Sequence, residues 1–259
     1  MKTSGCIRLR RGAWAIVPFL AAVSAVFFTW FGLPGPGAMA NNEPQFTSEF
    51  RFKECEEFET VGVNPYFILK PGYRLVLKGT EDGEKIRAVI TVLSQTEKVY
   101  VPGIGTVRTR VVEEKEWVDG ELVELSRNFF AICDETNDVV YFGEDVFIFN
   151  PDGSISHEGE WRAGVDGALP GIIMPGTFLL GSRYFQEIAP GVALDRAEHV
   201  KMGFNVKVPA GSFKDCVKVH ETSPLDPDAE SKKIYCPGVG LVIDDVLKLV
   251  KFGFNIADH

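Results

Sequence analysis

The chain of 259 residues lacks most of the short patterns that announce chemistry. No Cys-x-x-Cys occurs, which removes the zinc knuckle and the thioredoxin-like redox pair. There is no Gly-x-Ser-x-Gly and no glycine-rich loop ending in Gly-Lys-Ser/Thr, so neither a nucleophile elbow nor a phosphate cradle is signalled. Histidine is scarce. The four copies, His157, His199, His220 and His259, show no ligand spacing. His157 and Glu158, like His220 and Glu221, are neighbours that a strand would point to opposite faces. Asn150-Pro151-Asp152-Gly153-Ser154 opens like a calcium loop, yet no acidic anchor follows at the right distance, and it reads as a turn. No metal and no cofactor is expected. Nor is an apolar period of 3.6 residues sustained long enough for a major helix.

Positive charge is also short, and most so after the first forty residues. Lys2, Arg8, Arg10 and Arg11 precede an uncharged run from Gly12 to Leu33, then Pro34-Gly35-Pro36-Gly37 and Ala38-Met39-Ala40. This is the layout of a signal peptide, residues 1–40, cleaved after Ala40; an uncleaved anchor is the alternative. Arg10-Arg11 hints at twin-arginine export, and Cys6 precedes the apolar run, where a lipid-attachment cysteine does not stand. Losing four basic residues and no acid moves the formal charge from −9 to −13. So acidic a chain repels nucleic acid and anionic membrane surfaces.

What is present is strand and turn. Residues 41–63 read as a flexible lead-in, and 64–259 as a single antiparallel β domain. Strands are expected at 73–79, 85–94, 106–117, 121–132 and 138–149, then from Ser154 to Trp161. After a break they resume at 182–188, 197–208, 213–222, 231–236 and 240–255, the last with an optional short helix around Asp244–Val250. Asp82-Gly83, Asp119-Gly120 and Asp152-Gly153 mark hairpin turns. The fold class is mainly β: a large curved antiparallel meander or partly closed barrel with a Gly/Pro-rich apolar plug or lid. YVPGIGTV at 100–107 and YCPGVGLV at 235–242 repeat one corner solution, with Pro presetting φ and Gly accepting positive φ. Of the four cysteines beyond residue 40, Cys216 and Cys236 lie in adjacent strand candidates, which leaves Cys55 to Cys133.

The apolar passage 169–180 (LPGIIMPGTFLL) is the candidate contact surface, either for a greasy ligand or as filling for the sheet's own core. Ile172, Ile173, Met174, Phe178 and Leu179 would form it, flanked by Trp161 and Tyr184. Carboxylates are plentiful at Glu113, Glu114, Glu116, Glu144 and Asp145, and again at Glu158 and Glu160, where alternation is also what a solvated face looks like. Glu158 and Glu160 would share one strand face, the arrangement a glycosidase-like acidic pair requires. The leading expectation is a non-enzymatic exported protein that binds an apolar small molecule or an envelope protein. A structural accessory subunit and an acidic-pair hydrolase are the alternatives.

The strings NPYFILKPGYRLVLKG, VVYFGEDV, GEWRAGVDGALPGIIMPG, FQEIAPGVALD, VPAGSFKDCVKVHETSPLDP and YCPGVGLV cover most of residues 64–244. They resemble a family of uncharacterised secreted bacterial proteins. The resemblance implies export to the periplasm or beyond, and no activity. At the level of fold the chain is similar to the half-barrel sheets of periplasmic lipoprotein carriers, although it lacks their lipid-attachment cysteine.

Overall fold

The computed structural model describes residues 44–256. The expected signal segment and its cleavage site, Cys6 and His259 lie outside them. Eighteen strands follow in chain order. They are β1 (Phe58–Glu59), β2 (Gly62–Asn64), β3 (Phe67–Leu69), β4 (Tyr73–Glu81), β5 (Glu84–Val101) and β6 (Gly105–Val118). Next come β7 (Glu121–Cys133), β8 (Val139–Phe149), β9 (Ile155–Ser156), β10 (Trp161–Arg162), β11 (Leu169–Met174) and β12 (Arg183–Phe185). The last are β13 (Glu187–Ile188), β14 (Arg196–Val208), β15 (Gly211–Ser223), β16 (Asp226–Cys236), β17 (Gly240–Asp244) and β18 (Leu247–Phe254). Among the described residues the helical content is one 3-10 turn, Phe52–Glu54, and no helix is long and apolar enough to cross a membrane.

Two meanders, β4 to β8 and β14 to β18, are joined edge to edge by the β18–β4 ladder. The ladder continues from β8 through β11 to β13, and at the far end from β14 to β12. Its two ends, β12 and β13, are consecutive stretches of chain separated by Gln186. The antiparallel sheet therefore nearly closes into a barrel, with one unsealed seam at that residue.

Local chemistry explains the register. Asp82 and Gly83 (φ 51° and 94°) and Asp119 and Gly120 (φ 50° and 92°) fill two-residue loops in which both positions are left-handed. That twist suits a tight hairpin. The repeated Pro-Gly corners connect β5 to β6 and β16 to β17, pairing Val101 with Gly105 and Cys236 with Gly240. In each, the residue after the first Gly donates its N–H back to the carbonyl before Pro, at 3.1 Å. At Asn150–Ser154 the chain turns back on itself. There Asp152 Oδ1 accepts from the Ser154 N–H and Oγ–H at 2.9 and 2.6 Å, so that carboxylate is committed to the turn.

Several elements differ from the sequence expectation. Residues 240–255 form two strands turned at Asp245-Val246, with no helix. The expected strand from Ser154 to Trp161 is broken, because only Ile155–Ser156 and Trp161–Arg162 pair with β8. The lead-in is bound to the sheet: Thr47 bridges Tyr184, Phe52 is buried and β1 pairs with β7. The first half of the apolar passage 169–180 is β11, a wall strand held between β8 and β13. One end of the barrel is filled instead by the β2–β3 hairpin. Its Phe67 meets Phe130 edge-on at 5.2 Å, and Asn64 Nδ2 donates to the Asn137 and Pro175 carbonyls, both at 2.9 Å. Disulfides join Cys55 to Cys133 and Cys216 to Cys236, as the cysteine pattern predicts. Two such bridges accord with an oxidising environment.

Candidate functional site

Residues paired directly across strands share a face, so the register traces the interior row by row. One row runs Leu75, Ile90, Glu114, Ser126, Val146 across β4 to β8. The next runs Val92, Val112, Asn128, Glu144 and ends on Trp161 of β10. On the opposite wall Val219 faces Lys233, which faces Asp244, and Ala197 faces Glu221, which faces Ser231. Each row carries at least one acidic residue beside apolar ones. The lumen is thus divided into a greasy sector and a carboxyl-rich sector.

In the greasy sector lies a cavity of about 50 Å³. Leu75, Ile90, Val92, Val112, Phe130 and Leu241 form its wall, and Tyr66, Phe67 and Ile68 of the hairpin segment cover it. Its polar rim is Glu114 and Asn128. Asn128 is held in place from both ends. Its Oδ1 accepts from the Tyr141 hydroxyl at 2.6 Å, and its Nδ2 donates to Ser126 Oγ at 3.1 Å.

The acidic sector contains Glu114, Glu144, Glu187, Asp195, Glu221 and Asp244, linked by their mutual repulsion, with the ammonium of Lys233 beside Glu221 and Asp244. Lys233 Nζ lies 3.0 Å from Glu221 Oε2 and 3.9 Å from Asp244 Oδ2. Burial alone would depress the lysine, but the two carboxylates outweigh it and hold it well above its ordinary value. Burial, reinforced by Asp244, pushes Glu114 up to about 8. Burial raises Asp244 to about 6 against the pull of Lys233, and burial with Glu221 raises Asp195 to about 6. Glu144 and Glu187 stand well above the carboxylate range, driven by burial and then by neighbouring acids. Near neutral pH these two groups and Glu114 are largely neutral acids. Glu187 accepts from the Asp195 N–H at 3.1 Å, and Gln186 Nε2 donates to Glu221 Oε1 at 2.9 Å, which fastens the seam residue to the acidic sector.

Two polar atoms here stand out. Glu144 Oε2 and Trp161 Nε1 are both buried and have no hydrogen-bond partner among the described residues. They belong to cross-strand neighbours, and the Trp161 ring packs edge-on against Tyr141 at 5.2 Å. β10 comes this close to β8 because Gly143 takes φ 137° and has no Cβ, which would sit 2.5 Å from the Trp161 carbonyl.

The residues expected to form a contact surface are divided. Ile173, Met174, Phe178 and Tyr184 are core residues, Ile172 is half-buried, and Leu179 is 61% exposed on a turn. Phe178 stacks on His199 with ring centroids 3.7 Å apart. His199 accepts at Nε2 from the Tyr184 hydroxyl and donates from Nδ1 to the Leu179 carbonyl, at 2.8 and 3.0 Å. Burial lowers this imidazole to about 4, so it is neutral. Trp161 and Tyr184 of the set border the acidic sector, Trp161 as the strand partner of Glu144 and Tyr184 on the row of Ala197 and Glu221. Glu158 and Glu160 lie in the loop between β9 and β10, off any strand, and do not share a strand face as expected; Glu160 Oε2 instead faces His157 Nδ1 at 3.6 Å. The acids that do converge include Glu114 and Glu144, to which the sequence pattern assigns no role. Their signal was parity: Glu114 continues the inward period of Val112, and the closure of the sheet turns that face into a lumen.

Among the described residues, three metal-type ligand atoms come together at Cys55, Cys133 and Glu135, where both sulfurs are committed to a disulfide. No protein-family model, no curated protein and no solved structure matches this chain.

Proposed function

We propose that this is an exported, non-catalytic binding barrel that holds a small amphipathic molecule in its lumen, with the apolar part in the cavity beside Glu114. The cavity is the observation that carries the reading: apolar walls, a covering hairpin and a polar rim, the make-up of a ligand pocket. Its size narrows the class. A water needs roughly 10–15 Å³ of such space, so about 50 Å³ holds a handful of heavy atoms and not a lipid chain. Binding is favoured over hydrolysis because the expected acidic pair, Glu158 and Glu160, is not assembled on one strand face. The two disulfides support a periplasmic or extracellular location, as does the resemblance to secreted bacterial proteins.

Native mass spectrometry of the protein purified gently from its own host tests this reading. A discrete added mass should leave on denaturation and be missing from Val112→Phe, which fills the cavity. An added mass that persists in Val112→Phe lies elsewhere and refutes the lumen as the site.

A further inference from the structure

We infer that the acidic sector receives a primary ammonium group, so that the ligand of the barrel is a compact aliphatic amine. This rests on the lumen reading above and names its ligand class. The argument begins with charge balance. At least six carboxyls act on one another across the interior, and the ammonium of Lys233 is already engaged by Glu221 and Asp244. Buried carboxyls without a countercharge stay protonated. An entering R-NH3⁺ supplies the missing countercharge: one carboxyl gives up its proton to solvent and a charge-assisted hydrogen bond forms in its place.

The second observation does not depend on acidity. Glu144 is 5% exposed, yet its Oε2 has no hydrogen-bond partner, and the Trp161 N–H on the paired strand is orphaned as well. A buried polar atom left unsatisfied is costly, and such atoms in a folded protein call for a partner. An ammonium satisfies Glu144 Oε2. The cavity's polar rim adjoins this pair in the ladder. Asn128 lines the cavity and pairs across the strands with Glu144, and Glu114 lines it and feels the field of the same acids. An aliphatic chain in the greasy sector would therefore carry its terminal nitrogen toward Glu144. With a cavity of about 50 Å³, a chain of four or five carbons matches the space.

The test uses the folded, disulfide-bonded protein and three probes of one length: n-pentylamine, 1-pentanol and pentanoate. Binding is followed by amide shifts at Leu75, Val112 and Leu241. The amine should bind at least tenfold more tightly than the alcohol, and pentanoate more weakly than either. Glu144→Gln is close in shape and replaces a group that is already neutral, so it should fold. It should bring the amine to within about twofold of the alcohol and leave the alcohol unchanged. Equal binding of all three probes overturns the amine assignment while leaving the lumen reading intact. An amine preference that survives Glu144→Gln also overturns it. Binding of none overturns both.

Discussion

Glu114 offers a direct test of the divided interior. Its carboxyl is raised from an ordinary value of 4.5 to about 8, chiefly by burial and then by Asp244. The folded state therefore holds this proton more tightly than the unfolded chain does. Between those two values the native protein binds more protons, so stability is greatest below pH 4.5 and falls as pH rises toward 8. At about 1.4 kcal/mol per unit, three and a half units set a ceiling of about 5 kcal/mol. Water entering the cavity and shifts of neighbouring acids reduce this, so a loss of about 2–4 kcal/mol is expected. Glu114→Gln keeps the shape and removes the ionisation. Urea unfolding of both proteins at half-unit steps from pH 4.5 to 9 should show curves that coincide at the acid end. They should separate progressively, with the variant more stable above pH 8. Parallel curves would mean that Glu114 ionises freely in the fold, and the picture of a dry acidic sector would fail.

Three further outcomes follow from the same geometry. His199, lowered to about 4 by burial, contributes stability above its ordinary 6.5 that is lost as pH falls through 4. His199→Gln should lack an acid-side decline of about 3 kcal/mol seen in urea midpoints of the parent. Lys233→Met leaves Glu221 and Asp244 buried without their cation and should cost about 3–5 kcal/mol at pH 8, measured by chemical denaturation. At pH 5, where Asp244 is protonated, the loss should be smaller; an equal loss would refute the ion-pair account. Asn64→Ala removes the two side-chain donations that fix the hairpin over the cavity, and its bond to the Tyr66 N–H. It should cost about 2–4 kcal/mol and raise binding of an environment-sensitive apolar dye, and unchanged dye binding would show that the hairpin does not guard the lumen.

Much of the fold was legible because its signals are local. Asp82-Gly83 and Asp119-Gly120 permit only a tight turn, and the strands they join could lie only side by side. The disulfide between Cys216 and Cys236 was readable for the same reason, since one hairpin brings β15 against β16. Closure was not legible in detail, because it depends on Gln186 and on pairings between segments far apart in sequence. The site was hidden by that same fact. Alternating glutamates mean solvent on an open sheet, and the same alternation means a lumen once the sheet curls round. Glu114 and Glu144 were visible as acids, but their side of the sheet depends on its closure. The apolar passage left two readings open, and the place of Ile173 and Met174 in the buried wall strand β11 accounts for their greasiness without a ligand.

The single residue between β12 and β13 has a consequence for how the protein resists association. One short stretch, Arg183 to Ile188, supplies both terminal strands of the ladder, so loosening six residues would bare two hydrogen-bonding edges at once. The segment before β1 shields one of them. Thr47 exchanges hydrogen bonds with Arg183 and Phe185, both at 2.9 Å, and Arg196 lies over the Phe46 ring at 4.4 Å. The segment that looks like a tether in sequence acts as a selvedge. It finishes the raw margin of the sheet and keeps other strands from being woven onto it.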